Sequence, residues 1–300
     1  MAMSLVFGIG AGLVAALAQT ASYFLSRRFM QQVPGGVLPL LATSHLLMGA
    51  ASVGILLFFL PAVRGLSADC LGPLAGAAGF YLIGQAAMFW TIRRLESSRL
   101  APLLGLKILV LALITSLFFH ELLGVQRWLA VLGSVGAAFL LNEAGGRIPA
   151  AAVGGLLVTI TGYCISDIQI VRLVQRLPAA GGFAPLLGVA LDYLVCGIVA
   201  VPLFVLTRPV SLRVWRYAWP YAAAWFIGMV FLFICFAALG VVFGNIIQAT
   251  RGVMSIVVGG LIAHHGFLHL ESRIPRHVFW RRVAAALLML AAIALYMTGA

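Results

Sequence analysis

The sequence predicts an all-α polytopic membrane protein, with ten transmembrane helices arranged as two inverted five-helix repeats. Three observations carry that expectation. Of 300 residues, 63% are hydrophobic and only 9% charged, too few charges to clothe a water-soluble globule of this size. Apolar runs of membrane-crossing length, about 17–25 residues, recur from one end of the chain to the other. The sequence also matches itself at an offset of 144 residues.

The first apolar run covers 4–26 and stops at Arg27-Arg28. Ala16-Leu17-Ala18 resembles a signal-peptide cleavage site, but no positive segment precedes the run and the apolar stretch continues past that site, so it reads as an uncleaved first span. The second and third runs lie at 38–60 and 72–93, the fourth at 100–119 and the fifth at 126–142. The remaining five are 151–172, 184–206, 217–238, 241–263 and 279–298. Pro39 and Pro185 open the second and seventh runs, where a missing amide N–H costs little. The connecting loops are short and leave no room for a soluble domain. Many of the 33 glycines fall inside the runs, where they let helix backbones approach closely in lipid.

At the 144-residue offset, SYFLSRRFMQQVP (22–34) falls on SDIQIVRLVQRLP (166–178) and GFYLIG (79–84) on AAWFIG (223–228). The same shift places Lys107 on Arg251 and His120 on His264. One offset linking four separated places divides the chain into a first half, 1–145, and a second half, 146–300. Five spans per half is an odd number, so the second half would enter the membrane upside down. Repeats of that kind build secondary transporters, with the substrate near the bilayer midplane where the halves meet.

Other classes find little support. The formal net charge of +12 reflects arginines in short loops between apolar runs, as membrane topology demands, and gives no reason to expect nucleic acid. Cys70, Cys164, Cys196 and Cys235 form no CxxC pair and read as packing residues. His264, His265, His269 and Glu271 cluster after the ninth run, but no further histidine-rich box accompanies them, so neither a metal nor another cofactor is expected. No GxSxG, Walker or dinucleotide motif is present, and the chain is not expected to be an enzyme.

The stretch HELLGVQRWLAVLGSVGAAFLLN (120–142), together with ten runs and the five-plus-five repeat, resembles the drug/metabolite transporter superfamily, specifically its ten-span EamA-like members. Glu121, Gln126, Trp128, Gly133 and Gly136 fit the junction between that family's fourth and fifth helices. The sequence departs from the family at His265, where a Glu is usual, and in about eight extra residues before Trp280. Charged Lys107 and Arg251 also occupy positions that are commonly neutral. The resemblance implies that the fourth and ninth spans line a central cavity.

Lys107 lies about 12 Å into the fourth run at 1.5 Å per residue, and Arg251 lies at comparable depth in the ninth. A charge there costs about 2.5–3.5 kcal/mol on insertion scales, so each must face protein or water. Two cations at one cavity suit an anionic substrate group, arginine through a bidentate fork. The alternative is structural: Asp167 and Asp192 are also embedded and could pair with them, or could serve in proton coupling. His45, Gln85, Asn245 and Gln248, with Gln19, could donate to a ligand or hold neighbouring helices together. Gln248 shares a helix face with Arg251. Tyr81, Trp90 and Trp225 are candidate cavity aromatics.

The expected function is therefore secondary transport of a small organic metabolite, one carrying an anionic group, across a prokaryotic cytoplasmic membrane by alternating access. A flippase or exporter of a lipid-linked or amphipathic substrate is the second reading, an integral membrane enzyme or scaffold the third. Expected partners are the small-molecule substrate and the lipid bilayer, with the chain a monomer or weak homodimer. Leaving out Lys107 and Arg251, loops after odd-numbered spans hold thirteen arginines and those after even-numbered spans four. That bias puts both termini outside the cytoplasm, whereas the resemblance implies both inside.

Overall fold

The computed structural model describes residues 2–107, 109–111, 113–114, 124–143, 148–177, 182–207, 211–265 and 275–298. Glu121, His120, His269 and Glu271 lie outside these. The described residues are helical throughout, with short turns and no strand. The helices are α1 (Ala2–Gln32), α2 (Val37–Phe58), α3 (Leu60–Arg64), α4 (Leu71–Ile92), α5 (Ser97–Leu103), α6 (Val125–Glu143), α7 (Ala150–Gln175), α8 (Ala184–Thr207), α9 (Leu212–Ala249), α10 (Arg251–His264) and α11 (Arg276–Thr298).

Seven stretches among the described residues are long and apolar enough to cross a membrane: Leu5–Gln32, Val37–Phe58, Ala68–Ile92, Ala150–Gln175, Ala184–Thr207, Leu212–Val241 and Phe243–His264. The protein is a multi-pass membrane protein. These seven coincide with the expected first three and sixth to ninth spans. The helices at the expected fifth and tenth positions are more polar at their ends. α6 carries Gln126, Arg127, Asn142 and Glu143 there, and α11 carries Arg276, Arg281 and Arg282 in its first two turns.

Helix is the form that satisfies every backbone group without water. Several embedded hydroxyls bond back to their own helix, Thr20 to Ala16 O at 2.8 Å and Ser52 to Met48 O at 2.8 Å, which keeps those polar atoms satisfied without water. The outer surface is apolar, with Phe7, Leu57, Phe58, Ile198 and Leu206 exposed.

Boundaries depart from expectation in two places. α1 runs past Arg27-Arg28 to Gln32, because Phe29 in its last turn and Val33 just beyond it are buried. The gap expected at 239–240 between the eighth and ninth spans is a break at Gly240, whose φ of 80° suits glycine alone. The expected ninth span, however, is itself divided at Thr250, between the end of α9 and α10.

The major packing pairs are α1 with α9, α2 with α8, α4 with α7, α5 with α10 and α6 with α11. Glycine sets the closest crossings. A Cβ on Gly49 of α2 would sit 2.9 Å from Gly197 Cα of α8. One on Gly162 of α7 would sit 2.8 Å from Phe80 O of α4. Gly252 of α10 meets Pro102 of α5 in the same way, at 2.9 Å from its Cα. Between these crossings lies a core of buried aromatics that includes Tyr23, Tyr81, Tyr163, Tyr193, Tyr221 and Trp225.

Candidate functional site

The helical geometry brings Lys107 and Arg251 to one cavity. A 3-10 turn over Leu104–Leu106 immediately precedes Lys107. Thr250 closes on Ile247 O in the same three-residue manner at 3.1 Å, immediately before Arg251. Tightened turns inside a long helix mark hinges or functional positions more often than chance. The cavity is also lined by Gln19 of α1, Tyr81 of α4, Tyr163, Ser166 and Asp167 of α7, and Trp225, Met229 and Leu232 of α9. Its volume is about 20 Å³, room for about one water molecule.

The two cations are treated differently. Lys107 forms a salt bridge with Asp167, both side chains being more than nine-tenths buried. Asp167 Oδ2 also accepts from Asn245 Nδ2 at 2.8 Å. Arg251 has a neutral partner instead: its Nη1 donates to Gln19 Oε1 at 2.7 Å. The Nε of Arg251 and the hydroxyl of Tyr23 are buried donors with no acceptor among the described residues. The guanidinium carbon lies 6.0 Å from the centre of the Tyr23 ring.

Behind the lining, a polar layer holds the aromatic rings. His45 Nδ1 donates to Leu41 O at 2.6 Å, a contact only a protonated nitrogen can make. In the neutral ring Nε2 is then an acceptor, and Tyr81 lies 3.1 Å from it. Tyr163 donates its hydroxyl proton to Gln85 Oε1, and Gln85 Nε2 donates to the Tyr221 oxygen. Trp225 Nε1 donates to the Tyr193 oxygen at 2.6 Å. Tyr81 and Trp225 stand face to face with ring centres 6.1 Å apart.

Of the residues singled out in the sequence, Gln19, Lys107, Arg251, Asp167, Tyr81 and Trp225 line the cavity. His45, Gln85, Asn245 and Gln248 are one layer behind: the first two hold rings, Asn245 holds Asp167, and Gln248 Nε2 donates to Gly12 O at 3.2 Å. Asp192 is fully buried in α8, and neither carboxyl oxygen has a hydrogen-bond partner among the described residues. It therefore balances no cation, and the pairing of two cations with two aspartates reduces to one pair. Trp128 of α6 is half exposed and away from the cavity. Trp90 stacks under the Arg94 guanidinium at 3.8 Å.

Tyr163, Ser166, Met229 and Leu232 were not apparent from the sequence as lining residues. A signal existed for the first. Gln19 and Tyr163 are 144 residues apart, as are Tyr81 and Trp225, and Lys107 and Arg251. For Gln19, Tyr81 and Lys107, a shift by the repeat length finds the counterpart on the same cavity.

No protein-family model and no curated protein matches the chain. A solved structure described only as "Crystal structure of protein" shares the fold, with a TM-score of 0.61 over 99% of this chain and 98% of that one at 15% identity. At that identity the likeness is one of fold alone.

Proposed function

We propose that the protein is a secondary transporter that moves a small organic metabolite carrying an anionic group by alternating access. On this reading it has ten spans in two inverted halves, 1–145 and 146–300, resembles the EamA-like drug/metabolite transporters and resides in a prokaryotic cytoplasmic membrane. The observation that carries the reading is the cavity itself. Two buried cations meet there, Arg251 well inside the apolar stretch Phe243–His264, and among the described residues only Lys107 of the two has a carboxylate. Uncompensated charge at such depth is a mark of substrate or ion pathways.

The packing pairs support the two-half arrangement. Exchanging each helix for the one 144 residues away turns the α1–α9 pair into the α7–α4 pair and maps α2–α8 and, over part of their length, α6–α11 onto themselves. Three pairs of cavity residues related by the same offset point the same way. A site at the junction of exchangeable halves is what alternating access requires.

The test is flux in sealed vesicles containing the purified protein, with labelled carboxylates, amino acids, nucleotides and sugar phosphates as probes. Saturable flux of at least one anion, lost in Arg251→Gln, is expected. Product formation from any probe without transmembrane movement would instead favour a membrane enzyme.

A further inference from the structure

We propose that the cavity selects an aromatic monoanion, a planar ring bearing a single carboxylate or similar group. This rests on the cavity being the transporter's substrate site. Charge sets the first half of the proposal. Lys107, Arg251 and Asp167 are the ionised groups that line the cavity, and they sum to one unbalanced positive charge. The imbalance has a definite origin. Tyr23 stands 144 residues before Asp167, so where Lys107 has a carboxylate, Arg251 has a phenol ring beside it. Arg251 Nε, and the hydroxyl of Tyr23 beside it just behind the lining, are donors with no acceptor among the described residues. A single anionic group would satisfy both the charge and the donors, whereas a dianion would leave one negative charge unmatched.

The same geometry disfavours a zwitterion. Asp167 Oδ2 is already engaged by both Lys107 and Asn245. A substrate ammonium would meet a carboxylate whose charge Lys107 already balances, so a zwitterion would leave the site's one positive charge in place.

Aromatic character follows from how the walls are held. The polar ends of Tyr81, Tyr163 and Trp225 bond away from the cavity, to His45, Gln85 and Tyr193. What they turn inward is ring surface. Tyr81 lies 6.2 Å from Tyr163 and 6.1 Å from Trp225, centre to centre, each pair stacked. Such rings prefer another π system in offset or edge contact. The cavity now has room for about one water, so the ring enters only as the walls part.

The experiment measures equilibrium binding to the purified full chain in lipid nanodiscs, with five probes: benzoate, cyclohexanecarboxylate, phthalate, benzylamine and phenylalanine. Benzoate should bind most tightly, cyclohexanecarboxylate at least threefold more weakly, and the other three at least tenfold more weakly. Arg251→Gln should weaken benzoate at least tenfold. Trp225→Leu should bring benzoate and cyclohexanecarboxylate to parity. The series on the unaltered protein decides the matter even if a variant does not fold. Equal affinity for the saturated acid, preference for phthalate, benzylamine or phenylalanine, or no benzoate binding at all would each overturn the proposal. Benzoate that binds with this selectivity but never crosses sealed vesicles would sink the transport reading and leave the binding class standing. Flux of some other anion without benzoate binding would do the reverse.

Discussion

Replacing Lys107 by alanine removes the cation that Asp167 faces and leaves a buried carboxylate supported by Asn245 alone. Breaking a buried pair from one side typically costs about 3–5 kcal/mol. Lys107→Ala should therefore lower the melting temperature sharply, and Lys107→Ala with Asp167→Asn should recover most of the loss. Arg251→Gln should behave otherwise. Its partner Gln19 is neutral, so the expected cost is about 1–3 kcal/mol, that of a charged hydrogen bond, and neutralising Asp167 should not rescue it. Rescue of Arg251→Gln by Asp167→Asn would show that the two cations share one carboxylate. Asp192 supplies a third case. Its two oxygens are buried without a donor among the described residues, and an unsatisfied buried polar group costs about 1–3 kcal/mol. Asp192→Leu should raise thermal stability. If it does so while abolishing flux, the carboxyl is kept for transport and not for the fold.

At the scale of elements, the crossings test how closely the helices are set. An alanine at Gly49 or Gly197 would push a methyl into backbone, since a Cβ on either would sit 2.9 Å from the other's Cα, and one on Gly49 also 3.3 Å from the Tyr193 carbonyl oxygen. Overpacking of this kind costs about 1–3 kcal/mol. Gly54 is on the same helix with nothing within 4 Å, so Gly54→Ala should be neutral or slightly stabilising by helix propensity. Equal melting temperatures for Gly49→Ala and Gly54→Ala would mean that α2 and α8 are not locked at that crossing. The elements also show what the sequence made legible. Helices, and seven stretches of membrane-crossing length, follow from unbroken apolar runs. Lys107 and Arg251 stand out because a charge inside such a run has few places to go. Gln19 and Gln85 do not stand out in that way. An amide that holds a cation and one that holds two tyrosines look alike in sequence, because only the rotation of the helix decides which way it points. Asp192 was misleading for the same reason: a count of charges can balance while the helix face turns the carboxylate elsewhere. The break at Gly240 was legible as the gap between two apolar runs, whereas the division at Thr250 was hidden because the residues on either side of it continue a single run.

For the whole molecule, the basic residues mark one end. Arg213 at the start of α9 donates to Gln32 at the end of α1 at 2.9 Å, and Arg28 lies 5.3 Å over the Tyr217 ring. The turn at Gly36 approaches Arg93, next to Arg94. Nearby in sequence, Glu96 at the start of α5 takes both terminal nitrogens of Arg282 of α11 at 3.3 Å. An arginine-rich end faces the cytoplasm by the positive-inside rule, which agrees with the loop-by-loop arginine bias. Single cysteines at Arg94 and Arg213 should be shielded from an impermeant thiol reagent added outside intact cells and become reactive once the membrane is opened. Strong labelling of both from outside would reverse the orientation, as the EamA-like resemblance implies.

The neutral partner of Arg251 has an electrical consequence. If the cavity carries a monoanion as proposed, the charges of the loaded site cancel and the loaded transition would carry nothing through the membrane field. With the site vacant, one positive charge remains in the protein and shares in the reverse transition. A charge carried across the whole field feels about 2.3 kcal/mol per 100 mV, and a partial displacement feels a proportionate share. Membrane voltage would thus leave the loaded step untouched and set the pace of the empty return.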